Sequence, residues 1–194
     1  MKELFRKYKS VLHFLLLFFG SYLVLSLIYG GYLALSKGDS NTSDFITQLV
    51  AEQSSAVLNS LGYNAEVIAN ETTPSMELWV EEIHVGQIIE GCNAISIIIL
   101  FVAFIIAFSA SFKKTLVFIC AGAILIYGVN LYRIALLAIA LYQYPEYQEV
   151  LHTVVFPGII YSLVFVLWVL WVRTLKPKKV VITSLNENKE LQNE

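Results

Sequence analysis

Charged residues are scarce in this chain: Asp, Glu, Lys and Arg make up 14% of its 194 residues, whereas hydrophobic residues make up 57%. The mean hydropathy is +0.68, and no soluble domain of this length needs that much apolar surface. The formal net charge is −2, so the chain has no basic surface of the kind that binds nucleic acid. The composition therefore excludes an ordinary soluble domain and predicts a membrane protein.

Several signatures of chemistry are also missing. The two cysteines, Cys92 and Cys120, do not form a Cys-x-x-Cys pair, which argues against a thiol oxidoreductase. We find no Gly-x-Ser-x-Gly, no glycine-rich phosphate loop and no His/Cys/carboxylate cluster with metal-ligand spacing. The sequence therefore predicts neither a metal nor another cofactor. Cys120 is expected to be a small hydrophobic residue packed within its helix.

Four uncharged apolar segments remain: residues 11–35, 94–112, 115–132 and 153–172. The first is 25 residues long, enough to cross a hydrocarbon core of about 30 Å at about 1.5 Å per residue. A signal peptide would have a shorter apolar region before a small-residue cleavage pattern, so we interpret residues 11–35 as a retained anchor. The predicted fold class is an all-α polytopic membrane protein with about four transmembrane helices.

The distribution of charge predicts the orientation. In a four-span arrangement, three groups of basic residues fall on the same side of the membrane: those at the N-terminus, Lys113 with Lys114, and those from Arg173 to Lys179. Basic residues that flank membrane spans stay in the cytoplasm. Residues 36–90 contain nine acidic residues and one base, Lys37, so this segment is expected outside the cytoplasm. The chain then divides into a cytoplasmic N-terminus (1–10), the first span (11–35), an acidic extracytoplasmic domain (36–90), a membrane catalytic core (91–172) and a cytoplasmic tail (173–194).

The acidic domain between the first two spans has a predicted α+β fold. Asp44 can cap a helix that runs to about Ser60, with Gly62 beyond its end. Alternating segments at 63–68 and 76–85 predict a two-stranded ribbon around residues 72–75. The path of residues 134–151 is left open among three alternatives: an extension of the third helix to about Tyr142, a segment along the outer interface, or a re-entrant hairpin.

Three residues that lipid disfavours, Cys92, Arg133 and His152, fall at the outer ends of successive apolar segments. Each has a structural interpretation when taken alone: a packed thiol, a snorkelling guanidinium and an interfacial imidazole. Together they could catalyse a reaction, because an imidazole transfers protons, a thiolate is a nucleophile and a guanidinium stabilises an oxyanion. Asn130, one helical turn before Arg133, could orient the guanidinium or donate to the same oxyanion.

The same residues carry a family resemblance. The order Glu90-Gly-Cys92-Asn-Ala-Ile-Ser96, Asn130-Leu-Tyr-Arg133 and His152-Thr-Val-Val-Phe-Pro-Gly158 resembles the exosortase/archaeosortase family, and its compact form is most similar to the exosortase F type. The resemblance covers about residues 90–171. Many exosortases have about eight spans and a Ser-Gly after the cysteine, whereas this chain has about four spans and Asn93-Ala94.

The resemblance implies a sortase-like cysteine peptidase or transpeptidase of the bacterial plasma membrane, with Cys92 as nucleophile, Arg133 as oxyanion stabiliser and His152 as general acid/base. Asn130 and Asn93 would be supporting residues. The implied partners are exported proteins that carry a C-terminal sorting signal and a membrane helix, cleaved through an acyl-thioester. Two alternatives remain: a noncatalytic membrane assembly factor, and a subunit that transports a small anion bound by Arg133. The sequence leaves the substrate, the acceptor and the oligomeric state open.

Overall fold

The computed structural model describes residues 8–36, 43–108 and 111–175. The basic N-terminal residues before Tyr8, the segment 37–42 and the predicted tail after Leu175 lie outside the described residues. The helices are α1 (Lys9–Ser36), α2 (Phe45–Ser60), α3 (Ile95–Ala107), α4 (Phe112–Gln143) and α5 (Phe156–Thr174), and the strands are β1 (Ala65–Ala69), β2 (Met76–Val80) and β3 (Ile83–Ile88).

The apolar helices confirm the predicted class of a mostly helical membrane protein with a small sheet between its first helices. Three helical segments are long and apolar enough to cross a membrane: Val11–Ser36, Phe112–Gln143 and Leu151–Thr174. The fourth apolar helix, α3, has 13 residues and is therefore about 20 Å long, shorter than a hydrocarbon core of about 30 Å. The predicted second span, 94–112, was too long because α3 ends at Ala107 and Phe112 already begins α4.

A small domain, which we call the cap domain (residues 43–89), lies at one end of the bundle. Its helix α2 is confirmed as predicted, because the Asp44 carboxylate accepts hydrogen bonds from the N–H groups of Ile46 and Thr47. This arrangement satisfies two of the free donors at a helix start. After α2 the chain turns through Gly62, whose φ of +93° suits a residue without a side chain.

The sheet of the cap domain has three antiparallel strands in the order β1-β2-β3, so the predicted two-stranded ribbon was wrong. The run predicted as a single strand at 76–85 is interrupted by Glu81 and Glu82, whose φ angles are 49° and 65°. Positive φ at both central residues is the signature of a two-residue hairpin turn. The alternation of apolar and polar residues continues across such a turn, so it does not mark the position of the turn. The Glu81-Glu82 pair also differs from the Asn-Gly sequence that is typical of this turn.

The cap domain packs on the far end of α4. Buried Val50 and Leu58 of α2 and Leu78 and Val80 of β2 share one apolar core with Ile134, Ala135 and Ala138 of α4. Of the three alternatives for this segment, the structure shows the extension: α4 is one continuous helix of 32 residues that ends at Gln143. It ends there because Tyr144 precedes Pro145, and a residue before proline is disfavoured in the helical region; Tyr144 has left that region, with φ of −139° and ψ of 67°.

A second apolar core joins the membrane helices below the cap domain. Phe101 and Ile105 of α3, Ile126 of α4 and Val164 and Trp171 of α5 are buried in it. Helix α1 packs on α3 through Phe14, whose ring centroid lies 6.0 Å from that of Phe104 in α3 and 4.4 Å from that of Phe108, the residue after α3. The remaining faces of these helices expose large apolar side chains such as Leu16, Ile124 and Phe165, as expected for surfaces in contact with lipid.

The return from α4 to α5 includes an unusual helical turn. A 3-10 turn at Pro145–Tyr147 and a short helical segment lead into a π-helical turn at Leu151–Val155, which continues into α5. Pro157 is the physical reason: it has no N–H to donate to the carbonyl four residues earlier, so a regular α-helix cannot continue through this point. Turns of π-helix occur often at functional sites.

Candidate functional site

Cys92 ends a sharp turn between the sheet and α3. The residue closes the 3-10 turn Glu90–Cys92, with its N–H 2.8 Å from the carbonyl oxygen of Ile89. Two residues later Ala94 has φ of 64°, a left-handed conformation that costs a residue with a Cβ about 1 kcal/mol. The Asn93 side chain accepts the N–H of Ile95 at 3.0 Å and so supplies the start of α3 with an acceptor.

Asn93 is buried and holds this turn from behind. Its amide nitrogen donates to the Tyr29 hydroxyl of α1 at 2.7 Å and lies 3.4 Å from the hydroxyl oxygen of Thr47 in α2. The Thr47 hydroxyl in turn donates to the Asp44 carboxylate. Asn93 therefore joins α1, α2 and α3 in one polar network.

Asn130 connects two of the three candidate site residues. This buried residue donates from its amide nitrogen to the carbonyl oxygen of Cys92 at 2.8 Å. Its amide oxygen accepts a hydrogen bond from Nη1 of Arg133 at 3.2 Å. Of the two roles considered for Asn130, these contacts match the orientation of the guanidinium.

Arg133 has a buried donor without an acceptor. Its Nε atom is inaccessible to solvent and has no hydrogen-bond partner among the residues that the structure describes. An unsatisfied buried donor costs about 1–3 kcal/mol or more when charged, and such exceptions in folded proteins call for an explanation.

His152 lies in the π-helical turn and its side chain is exposed. The residue lines the cavity described below, and it also borders a shallow, open surface depression together with Glu146, Glu149 and Thr153. The residue therefore borders both the cavity and the open surface depression. A proton carrier that exchanges with water needs such access.

One cavity of about 210 Å³ brings Cys92, Arg133 and His152 together. The three residues come from different elements and are separated by 41 and 19 positions in the chain. The apolar walls of the cavity come from β2, β3 and the last turns of α4, and include Leu78, Val85, Ile88, Leu137 and Leu141. Asn130 and Asn93 do not line it. The cavity thus presents a half-buried thiol, a guanidinium and an imidazole to one occupant.

Cys120 lies elsewhere, and its predicted packing was wrong. The residue is in the first third of α4, far along the helix from Arg133, and its side chain is exposed on the helix surface. A cysteine side chain behaves as a small hydrophobic group, so its exposure on the surface of an apolar helix in lipid costs little. Cys120 therefore takes no part in the cavity.

Some residues that support the site were missed from the sequence. Tyr29 and Thr47 belong to the network behind Asn93, and Gly86 and Gln87 of β3 line the cavity. A hydroxyl near the end of the first span and a glycine directly after the second predicted strand were the available signals. Neither signal identifies its partner, because both contacts join segments that are distant in the chain.

The fold and the cavity together define a multi-pass membrane protein with a small α+β domain over one end of its helices. A family model described as transmembrane exosortase (Exosortase_EpsH) matches residues 9–173. Because this match covers most of the chain, the protein belongs to the transmembrane exosortase family. The match includes α1 and the cap domain, which the resemblance read from residues 90–171 did not cover. No curated protein and no solved structure gave a significant match.

Proposed function

We propose that this exosortase is a cysteine peptidase or transpeptidase that cleaves the C-terminal sorting signals of exported proteins. The observation that carries the proposal is the cavity that Cys92, Arg133 and His152 line together. Unrelated structural needs rarely bring a thiol, a guanidinium and an imidazole to one cavity, whereas acyl transfer uses all three. The single-anchor form and the Gly-Cys-Asn context favour the exosortase F type.

In the first step, Cys92 attacks the carbonyl carbon of the scissile peptide bond as a thiolate. The guanidinium of Arg133, which lines the cavity, donates to the oxyanion that develops on the carbonyl oxygen. His152 protonates the departing amine, the C–N bond breaks and an acyl-thioester forms on Cys92. The product that leaves carries the membrane helix of the substrate.

In the second step, an amine or water attacks the thioester. His152 accepts a proton from this nucleophile, the C–S bond breaks, and Cys92 leaves as thiolate. Arg133 stabilises the second tetrahedral oxyanion as it did the first. The exposed position of His152 suits both steps, because the leaving amine and the incoming nucleophile approach from the solvent side.

We further propose that the site faces the extracytoplasmic side of a bacterial plasma membrane. Lys113, Lys114 and Arg173 lie at the ends of α4 and α5 that are distant from the cap domain. Basic residues next to spans stay in the cytoplasm. The acidic cap domain and the cavity beneath it then lie outside, where exported proteins arrive, and both chain termini lie inside.

The test is processing of a candidate sorting-signal substrate in cells that express the native protein, Cys92→Ala or Cys120→Ala. We expect Cys92→Ala to abolish processing while its abundance in the membrane stays normal. Cys120→Ala is the matched control and should process the substrate at the native rate, because its thiol lies outside the cavity. Unchanged processing by Cys92→Ala would contradict the mechanism and favour the assembly or transport alternatives.

A further inference from the structure

The third strand of the sheet has a free edge beside Cys92. The sheet ends at β3 in the part of the chain that the structure describes, and β3 ends four residues before Cys92. Three consecutive residues of this strand, Gly86, Gln87 and Ile88, line the cavity that contains the thiol. A free edge exposes backbone donors and acceptors that can pair with an extended peptide.

The hydrogen-bond pattern shows which groups face this edge. The ladder between β1 and β2 is flanked by two bonds: Asn70 N–H to the Ser75 carbonyl at 3.0 Å, and Glu81 N–H to the Asn64 carbonyl at 2.9 Å. In an antiparallel ladder, bonded positions alternate along the strand. The odd-numbered residues from Ser75 to Glu81 therefore bond to β1, and the even-numbered residues of β2 bond to β3.

The partners of those even-numbered residues fix the orientation of β3. Leu78 is paired with Gly86 and Met76 with Ile88, so the backbone groups of Gly86 and Ile88 face β2. Gln87 lies between them, and its N–H and C=O therefore face away from the sheet. An incoming extended segment would find one donor and one acceptor at Gln87, on the edge that leads to Cys92.

Gly86 leaves an apolar space beside this edge. Its register partner Leu78 is buried against α4, so a side chain at position 86 would point to the same face. A Cβ added there meets no atom within 4 Å, and Gly86 does not have a positive φ. Neither the backbone conformation nor internal packing requires glycine here, although glycine weakens a strand. A glycine in a strand often marks the place where a ligand approaches.

We propose that the substrate binds as a fourth strand on β3, paired with the backbone of Gln87, and inserts a large aliphatic or aromatic side chain into the space beside Gly86. This inference rests on the proposed peptidase function and specifies which peptides the site accepts. The inserted side chain belongs to the residue next to the scissile bond, because the same cavity contains Cys92. The walls that receive it, Leu78, Leu137 and Leu141, are all apolar.

The test uses peptide chloromethyl ketones of the form acetyl-Ala-Ala-Xaa, in which a thiolate displaces chloride and forms a C–S bond. The full-length protein in lipid nanodiscs is treated with probes whose Xaa is Ala or Leu, and alkylation of Cys92 is followed by mass spectrometry. Iodoacetamide measures the intrinsic reactivity of the thiol. We expect the Leu probe to react roughly tenfold or more faster than the Ala probe, as burial of a leucine side chain implies.

Two pairs of variants test the two parts of the proposal. Gly86→Leu fills the space, so the Leu-to-Ala ratio should fall to about one, and the iodoacetamide rate of the same variant separates this effect from a change in the thiol itself. Ala69→Leu, on the opposite edge strand β1, is the matched control and should keep the native ratio. Gln87→Pro removes the outward N–H and should slow all peptide probes about three- to tenfold, as loss of one hydrogen bond implies. Gln87→Ala keeps that N–H and is the comparison that separates the effect of the backbone donor from that of the side chain.

The outcomes separate this proposal from the proposed function. A native ratio near one, or a native ratio retained in Gly86→Leu, would overturn the pocket, even if Cys92→Ala abolishes processing in cells. Equal rates for Gln87→Pro and Gln87→Ala would overturn the strand pairing. If the ratio changes as expected while Cys92→Ala still processes the substrate, the peptide site stands and the peptidase function fails. A cavity occupied by lipid would give peptide rates independent of Xaa and so count against the proposal.

Discussion

Asn130 shows how one amide holds two parts of the candidate site. It donates to the Cys92 carbonyl and accepts from Arg133, so both its donor and its acceptor are used within the protein. A single buried side chain therefore links the turn that contains Cys92 to the guanidinium of Arg133. In catalysis, displacement of a group by about 1 Å can cost on the order of 100-fold in rate.

We therefore expect Asn130→Ala to lower kcat for substrate processing by about 10- to 100-fold with a smaller change in KM. The iodoacetamide reactivity of Cys92 should change little, which separates a positioning role from loss of the thiol or of the fold. Asn130→Asp is the near-isosteric comparison: it keeps an oxygen for Arg133 but sets a second oxygen against the Cys92 carbonyl. A native kcat in Asn130→Ala would show that Arg133 needs no such support.

At the level of elements, α3 and α4 approach each other closely at one glycine. A Cβ added at Gly122 would lie 2.3 Å from Cζ of Phe101, a buried ring in the membrane core. Small residues let membrane helices pack at short distance. Gly128, further along the same helix, has nothing within 4 Å of its added Cβ and is therefore a matched control.

We expect Gly122→Ala to destabilise the purified protein by about 1–3 kcal/mol, the usual cost of overpacking, and Gly128→Ala to have little effect. Thermal unfolding in detergent is the measurement. Phe101→Leu combined with Gly122→Ala should recover part of the loss, because the smaller side chain vacates the space. Equal stability of the two glycine variants would mean that α3 can shift away from α4 without cost.

The elements also show what the sequence could predict. Helix α2 was predicted with its cap, because Asp44 and the helical spacing that follows it are local signals. The hairpin at Glu81-Glu82 and the early end of α3 were not, since alternation runs through a tight turn and apolar residues continue past Ala107. For the site, the sequence placed Cys92, Arg133 and His152 at one depth. The network of Asn93, Tyr29 and Thr47 depends on contacts between segments that are distant in the chain. No local pattern in a single sequence reveals such contacts.

For the whole molecule, the proposed orientation predicts which residues an impermeant reagent reaches. Starting from the protein with Cys92 and Cys120 replaced by alanine, we expect Glu71→Cys in the cap domain to react with a membrane-impermeant maleimide in intact cells. Arg173→Cys, at the opposite end of α5, should react only after permeabilisation. Both side chains are exposed, so burial does not bias the comparison. The reverse pattern would place the site in the cytoplasm.

The shortness of α3 has a consequence for the surrounding lipid. A helix of about 20 Å covers only about two thirds of a hydrocarbon core of about 30 Å, so the acyl chains beside the remaining third have no apolar protein surface to contact. Bilayers respond to such a mismatch by becoming thinner locally. Because Cys92 lies at the cap end of α3, the thin region is next to the thiol. Under the proposed function, a substrate helix that diffuses into this region would expose its final turn to water, where separated peptide groups are hydrated rather than costing several kcal/mol each in hydrocarbon. The membrane itself would then help to unwind the segment to be cleaved.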